Sequence, residues 1–178
     1  MAKRHHEQLA IIHYPDPRLR RAADPVRHFD GELATVAERM LQLMRDAKGV
    51  GLAAPQVGLG LRLFVMNATG EPGGDEVFVN PEIVDPQGQR EAEEGCLSIP
   101  DVHVQVRRAQ RCRIVAHDLQ GRRIEKSGAD LVARIWQHET DHLNGVLIID
   151  RMGPGDRIAT RNTLRELEAR FVRKSTGR

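Results

Sequence analysis

The segment His138-Glu139-Thr140-Asp141-His142 is the one around which we expect the rest of this chain to be arranged. On an α-helix, residues four apart lie one above the other, so His138 and His142 can bind the same divalent ion. Glu139 lies about 100° further round the helix axis, where its carboxylate reaches a water molecule on that ion more easily than the ion itself. The spacing H-E-x-x-H is typical of metal-dependent hydrolysis of amide bonds.

The residues before the two histidines predict the helix that carries them, over about 128–144. Leu131 and Ile135 precede the histidines at helical spacing, and all four side chains fall within about 60° on a helical wheel. The histidines therefore continue an apolar stripe that we expect to face the core and to exclude water. Ser127 is expected to cap the start of this helix, and Gly145 is expected to end it.

The composition is that of an ordinary globular protein and excludes several classes of function. The 178 residues are 40% hydrophobic and 29% charged, which suits a single domain over 1–178 with a sizeable core. A net charge of +2 and 3% aromatic residues argue against DNA binding. We see no apolar run that predicts a membrane span or a signal peptide, and two cysteines are too few for a disulfide-stabilised secreted fold. We expect a reducing, cytoplasmic location.

The order of the predicted elements indicates the α+β class, with antiparallel or mixed β-sheets around the central histidine helix. Residues 1–10 are expected to be loose. Asp30 is expected to cap an N-terminal helix that ends before Gly49, and a C-terminal helix with a basic tail is predicted over 155–178. Strands are predicted at 61–66, 76–79, 102–106, 113–117, 122–125 and 146–149, with a further strand beginning at 83.

Two histidines leave the predicted metal site incomplete, since a catalytic site of this kind takes three protein ligands and a water. Downstream, Asp150, Glu166 and Glu168 offer carboxylates, and Glu166 would complete a zincin-type metalloprotease. Upstream, Cys96 offers a thiolate, which is a strong ligand for soft and borderline metals, although a lone cysteine is commonly a buried apolar residue. Cys112 is expected to be of that second kind. The spacing leaves both candidates for the third ligand open.

Three segments, taken together, resemble the motifs of peptide deformylases. The segments are Gly49-Val50-Gly51-Leu52-Ala53-Ala54-Pro55-Gln56, Glu94-Gly95-Cys96-Leu97-Ser98 and Gln137-His138-Glu139-Thr140-Asp141-His142-Leu143. They occur in that family's order and at similar separations, and the segment 14–19 also resembles the family's N-terminus. The resemblance therefore covers about residues 10–150. It favours a peptide deformylase over the zincin-type metalloprotease.

The resemblance implies a chemical role for each motif. The implied ligands of one divalent metal ion are Cys96, His138 and His142, with a water or hydroxide nucleophile in the fourth position. Fe²⁺ is the metal that the family uses, and Zn²⁺, Ni²⁺ or Co²⁺ suit the same ligands. Glu139 would act as general base and then as acid. The side-chain amide of Gln56 and the backbone N–H of Leu97 would donate hydrogen bonds to the oxyanion.

The substrate implied by the resemblance is the N-terminal N-formylmethionine of newly synthesised polypeptides, with formate as the product. Gly51 would lie on a strand edge against which the peptide pairs. Val50, Leu131 and Ile135 are expected either to line an apolar pocket for the methionine or to be ordinary core residues. A pocket of this kind discriminates by only about 1–3 kcal/mol per methylene, so the small formyl group is expected to dominate selection.

Several residues stay open at this level. After Pro100, some family members place an arginine that touches the substrate, where this chain has Asp101-Val102-His103. A substrate contact from His103, Arg107 or Arg108 is therefore undecided. Asp141 and Arg134 flank the ligands and are either supports for them or solvated helix residues, and we leave them out of the site. The C-terminal helix contacts the ribosome or exposes a solvated face, and its basic residues are Arg157, Arg161, Arg165, Arg170, Arg173 and Lys174.

Overall fold

The computed structural model of the chain describes residues 8–176, apart from the side chains of 174 and 175, and confirms the α+β class. Its α-helices are α1 (Gly31–Asp46), α2 (Asp130–Leu143), α3 (Ile148–Arg151) and α4 (Pro154–Thr176). Its strands are β1 (Gly51–Ala53), β2 (Leu63–Met66), β3 (Glu76–Gln87), β4 (Arg90–Cys96), β5 (Ile99–Arg108), β6 (Arg111–His117) and β7 (Arg123–Ala129). Most of the stretch 1–10 that we expected to be loose lies outside the described residues, as does the side chain of Lys174. A single domain stays a prediction.

Two antiparallel sheets flank the histidine helix. The larger sheet has five strands in the order β1-β2-β3-β6-β7, and β1 forms one of its edges. Strands β4 and β5 pair with each other and with no other described strand, so they form a separate hairpin. Helix α2 packs against the larger sheet through Trp136, whose ring meets Phe78 edge-on at 5.9 Å. The hairpin and the larger sheet therefore contact α2 as two separate sheets.

Helix α1 confirms the prediction made from its cap. The side chain of Asp30 accepts hydrogen bonds from the backbone N–H groups of Glu32 and Leu33, at 3.1 and 3.0 Å. These bonds satisfy donors that the first turn of a helix leaves free. The buried face of α1 consists of Leu33, Val36, Ala37, Met40, Leu41 and Met44. That face packs on the same core cluster as β2, and the cluster anchors the edge strand β1 beside the site.

Helix α2 begins later than predicted, and the expected cap at Ser127 is wrong. Ser127 and Gly128 belong to β7, where they pair with Arg113 and Cys112 of β6. Continuing the sheet satisfies their backbone groups, so the helix starts only at Asp130. Gly128 also allows a close approach, since a Cβ there would lie 2.6 Å from the ring of Trp136. The end of the helix is as predicted, with Gly145 in the left-handed region at φ 73°.

The strand predictions need correction at 146–149 and at 76–83, and they missed β4. The stretch 146–149 is not a strand, because Leu147 precedes the short helix α3 and its N–H donates to the Asp150 carboxylate at 2.8 Å. The predicted strands at 76–79 and 83 are one strand, β3, with an irregularity at Asn80, whose φ is 51°. Strand β4 was not predicted, because its sequence is mostly charged. Among the described residues, no helix is long and apolar enough to cross a membrane.

Candidate active site

Three side chains, one from β4 and two from α2, lie close together. Cys96 ends β4, and His138 and His142 lie one turn apart on α2. Their ligand atoms all lie within 4.8 Å of one another. Nε2 of His142 is 3.3 Å from Sγ of Cys96 and 3.2 Å from Nε2 of His138. In a tetrahedral site with bonds of about 2.0–2.3 Å, ligand atoms are separated by about 3.3–3.6 Å, so this donor set fits a divalent ion.

The acidic residues considered as a third ligand lie elsewhere. Glu166 is 68% exposed and its carboxylate is 3.6 Å from Arg170 on the same helix. Glu168 accepts a hydrogen bond from the hydroxyl of Tyr14 at 2.6 Å, and Asp150 pairs with Arg20. The zincin-type alternative is therefore not favoured. Cys112 is buried in the core of the larger sheet, as expected.

The two histidines differ in their preference for a proton. Burial lowers the pKa of His138, but hydrogen bonds with Cys96 and Glu94 outweigh burial and hold that pKa well above its usual value. Burial lowers the pKa of His142, and the charge of His138 lowers it further, well below its usual value. The two rings, whose Nε2 atoms lie 3.2 Å apart, therefore are not both protonated.

Glu94 supports His138, a role that was not predicted and whose one signal was the place of Glu94 in the second motif. It lies two residues before Cys96 on β4, so both side chains point to the same face. Its Oε2 is 3.0 Å from Nδ1 of His138, which leaves Nε2 of that ring free for a metal. Arg108 donates hydrogen bonds to both carboxylate oxygens of Glu94, at 2.6 and 2.8 Å. Burial raises the pKa of Glu94, but Arg108 and His138 hold it well below its usual range.

A chain of ion pairs continues from Glu94 to α3; it is buried at Arg108 and exposed at Arg151. Arg108 donates to Asp141 at 2.8 Å, and Arg151 donates to both oxygens of Asp141 at 2.5 Å. Asp141, which we left out of the site, therefore lies in the network that supports a predicted ligand. Arg108 is engaged with Glu94 and Asp141, and Arg107 is exposed at 3.6 Å from Glu91. The described contacts of both arginines are with carboxylates of this chain.

Glu139 lies buried beside the predicted ligands. Its Oε2 has no hydrogen-bond partner among the described residues. Burial raises its pKa to about 7. Gly51 makes room for this carboxylate, because a Cβ at that position would lie 2.3 Å from Oε1 of Glu139. The absence of a side chain at Gly51 thus lets the first motif pack directly against Glu139 on α2.

Gln56 presents its amide to the same place with a fixed orientation. It lies in a short 3₁₀ helix, Ala54–Val57, that directly follows β1. Its Oε1 accepts the backbone N–H of Ala53 at 2.9 Å, so the amide nitrogen points the other way. That nitrogen is 3.2 Å from the hydroxyl of Ser98 and 3.6 Å from Sγ of Cys96. Gln56 is therefore placed to donate a hydrogen bond at the predicted metal centre.

A cavity of about 390 Å³ opens in front of these groups. Predicted site residues that line it are Val50, Gly51, Gln56, Cys96, Leu97, Leu131, Ile135, His138 and Glu139. Ile135 is buried, but Leu131 is 51% exposed and Val50 is 45% exposed. The prediction that the whole apolar stripe faces the core is therefore wrong at Leu131, because α2 begins beside the cavity. His103, which sequence reasoning left undecided, also lines the cavity, as does Arg134.

The fold and the site define a hydrolase. A cysteine sulfur and two imidazoles lie close together, the carboxyl group of Glu139 is buried beside them, and a side-chain amide faces the same cavity. The comparisons with known proteins identify the particular family. The family model for polypeptide deformylase matches residues 8–157. The chain belongs to the polypeptide deformylase family and is a hydrolytic enzyme.

Individual relatives agree with the family model over nearly the full length. A peptide deformylase of Acidobacterium capsulatum is 41% identical over 160 residues, which are 89% of this chain and 94% of the relative. The crystal structure of a Legionella pneumophila peptide deformylase superposes with a TM-score of 0.85 at 43% identity, covering 93% of this chain and 98% of that one. A plant peptide deformylase structure has a TM-score of 0.91 at 41% identity, with 96% and 94% covered.

Proposed function

We propose that this enzyme removes the formyl group from the N-terminal N-formylmethionine of newly synthesised polypeptides and releases formate, using one divalent metal ion. Family membership supports the reaction. The observation that carries the metal dependence is the convergence of Cys96, His138 and His142. The fit of these donors to a tetrahedral ion supports their assignment as ligands. Fe²⁺ is proposed on resemblance alone, and Zn²⁺, Ni²⁺ or Co²⁺ suit the same donors.

The residues around the metal centre divide the chemistry of amide hydrolysis between them. When bound, a divalent ion supplies Lewis acidity that makes water a nucleophile near neutral pH. Glu139 would accept a proton from the attacking water and pass it to the leaving amine, which must not depart as an anion. Gln56 and the backbone N–H of Leu97 donate hydrogen bonds to the oxyanion that forms at the formyl carbon. The unpartnered, buried oxygen of Glu139 supports its role as the proton carrier.

The cavity is proposed to bind the formylmethionine end of the peptide. The substrate backbone pairs with the edge of β1 at Gly51, since an edge strand offers unpaired N–H and C=O groups. Val50, Leu131 and Ile135 surround the methionine side chain, and the exposure of the first two at the mouth suits a surface that a ligand covers. Comparing formyl- with acetyl-methionyl peptides tests the selection for the smallest acyl group, and equal turnover would contradict it.

A transient ribosome contact through α4 and a cytoplasmic location complete the proposal. The residues Arg157, Arg161 and Arg165 follow one another at intervals of four on α4, and all three are exposed. Residues at this spacing share one face of a helix, so α4 presents a basic stripe that complements the phosphates of ribosomal RNA. Association with purified ribosomes that weakens when the three arginines are replaced by glutamine supports the contact.

The reaction and its metal dependence are tested together by anaerobic purification, metal analysis and assay on formyl-Met-Ala-Ser. We expect stoichiometric metal and release of formate from the wild-type protein. Cys96→Ala is expected to lose both, because a ligand is removed. Glu166→Gln is the matched control, since Glu166 is the rival third ligand, and it is expected to retain both. Metal and activity in the Cys96 variant, or their loss in the Glu166 variant, would overturn the proposal.

A further inference from the structure

Arg134 ties the histidine helix to the hairpin that carries the cysteine. It lies one helical turn before His138 on α2, and its side chain is 13% exposed. Its Nη1 donates to Oε1 of Glu94 at 2.6 Å and to the backbone carbonyl of Val106 at 3.0 Å. Its Nη2 donates to the backbone carbonyl of Arg90 at 2.8 Å. One guanidinium therefore contacts a carboxylate and a carbonyl on β4, and another carbonyl on β5.

These contacts cross the seam that divides the predicted metal centre. Cys96 comes from the β4–β5 hairpin, whereas His138 and His142 come from α2. The hairpin pairs with no other described strand, and a two-stranded hairpin is marginally stable by itself. Contacts between the hairpin and the rest of the protein therefore set the distance from Sγ of Cys96 to the two imidazoles.

Two other side chains, Gln137 and Arg108, also bridge this seam, but neither bonds from α2 to the backbone of both strands. Gln137 bonds to both backbone groups of Ala109, beyond the end of β5. Arg108 bonds from β5 to Glu94 on β4 and to Asp141 on α2. Among these three, Arg134 is the residue whose side chain reaches from α2 to backbone carbonyls of both strands and to the carboxylate of Glu94. An arginine suits this position, because its planar fork of five donors can serve three acceptors at fixed angles, which an ammonium group cannot.

We propose that Arg134 is a positioning residue that sets the metal affinity of the site. It acts on Cys96 by holding the hairpin against α2, and on His138 by holding Glu94. This inference rests on the proposed function, because it assumes that the three donors bind a metal. Without these bonds the three ligand residues are still present, but the distances between their donor atoms vary more. Binding of the ion is therefore weaker.

The test compares Arg134→Met and Arg134→Lys with the control Arg90→Met. Arg90 pairs with Asp130 and so also joins β4 to α2, but the pair lies on the surface at 60% and 54% exposure. The backbone carbonyl that Arg134 uses is unaffected by that substitution. Chelator-treated proteins are loaded with Co²⁺, and three quantities are measured: the thiolate-to-cobalt absorption band, the rate of Co²⁺ loss to excess chelator, and the melting temperature without metal.

We expect Arg134→Met to lose Co²⁺ about 10–100-fold faster than the wild type, as is usual when a group that orients metal ligands is removed. Arg134→Lys is expected to fall between them, with a shifted absorption band, and Arg90→Met to stay within about twofold. A purely structural role would lower the melting temperature without changing the band or the rate. If Arg134→Met does not fold, the lysine variant decides.

Two failures are distinguishable. Equal Co²⁺ loss from the wild type and both Arg134 variants would overturn the role of Arg134 and leave the metal centre intact. Failure of the wild-type protein to bind Co²⁺ through Cys96, seen as the absence of the thiolate band, would overturn the metal-dependent function itself.

Discussion

Glu139 is the residue whose surroundings most restrict what it can do. A buried polar atom without a partner costs about 1–3 kcal/mol, so a fold retains one where it serves a purpose. The unpartnered Oε2 belongs to a carboxylate whose other oxygen, Oε1, occupies the space that a side chain at Gly51 would take. Gln56 is the complementary case, since its oxygen is already bonded to the backbone and its nitrogen is the end that faces the site. One residue is thus prepared to accept a proton and the other to donate a hydrogen bond.

Replacing Glu139 by glutamine should abolish most of the activity and leave the metal in place. The substitution keeps the size of the side chain but removes its ability to carry a proton, which contributes about 10²–10⁴-fold to the rate of such reactions. Formate release from formyl-Met-Ala-Ser and metal content are measured on the same sample, with Glu166→Gln as the control for an exposed acid. Unchanged activity in a metal-loaded Glu139→Gln protein would contradict the assignment.

Replacing Gln56 by glutamate should lower kcat with little effect on KM. A carboxylate of the same shape still accepts the Ala53 N–H but no longer donates to the oxyanion, and removal of one such donor costs about 10²–10³ in kcat. Steady-state kinetics on formyl-Met-Ala-Ser separate the two constants. The neighbouring change Ser98→Ala, which removes a bonding partner of Gln56 but keeps the donor, should have a much smaller effect. A rise in KM alone would indicate that Gln56 binds substrate and not the transition state.

The β4–β5 hairpin is the element on which the site depends most. Side chains alternate between the two faces of each strand, so Glu94 and Cys96 both face α2. Arg108, on β5, donates a hydrogen bond to Glu94. The polar groups buried between hairpin and helix satisfy one another completely at Glu94, which accepts bonds from Arg108, Arg134 and His138. The apolar side chains of β5 pack with α3 and α4, whereas these bonds of Glu94 link the hairpin to α2 through charged groups.

Arg108→Met should destabilise the protein strongly. It leaves Glu94 and Asp141 buried with fewer partners, and breaking a buried pair from one side costs about 3–5 kcal/mol. The control is Arg113→Met on β6, whose pairs with Asp85 and Glu125 are at the surface and are worth at most about 1 kcal/mol. Urea unfolding of the chelator-treated proteins measures both free energies. Equal losses in the two variants would show that the buried network contributes no more than a surface pair.

The described part of the molecule contains three clusters of buried apolar residues. One lies between α1, β1 and β2, a second between α2 and the larger sheet, and a third between β5, α3 and α4. Helix α4 is fixed over β5 by Asp156, which accepts the backbone N–H of Gln105 at 2.8 Å. Because the ligands come from the second and third regions, a bound ion would connect parts of the protein that pack separately.

Removal of metal should therefore lower the stability of the whole protein. A ligand that binds the folded state alone stabilises it by about 4 kcal/mol when its free concentration is 1,000 times its Kd. We expect the melting temperature to fall after treatment with a chelator and to recover when Co²⁺ or Zn²⁺ is returned. The Cys96→Ala variant is expected to melt at the same temperature with and without chelator. A wild-type melting temperature that the chelator does not change would argue against a bound ion.

Features contained within one element could be predicted from the amino-acid sequence. The spacing of His138 and His142, the cap at Asp30 and the alternation of Val102, Val104 and Val106 in β5 all depend on local periodicity. The charged strand β4 and the false strand at 146–149 show the limit of this reasoning. There, pairing with β5 and a side-chain bond to Leu147 override what the local pattern indicates.

Features that join distant parts of the chain required the three-dimensional structure. The motifs of a known family indicated Cys96 as the third ligand, but composition and spacing left it equal to the downstream acids. Packing of the hairpin against α2 brings Cys96 to 3.3 Å from His142, and the same packing gives Glu94, Arg108 and Arg134 their partners. Spacing along one helix follows from backbone geometry, whereas a distance across a seam depends on every side chain that packs into it.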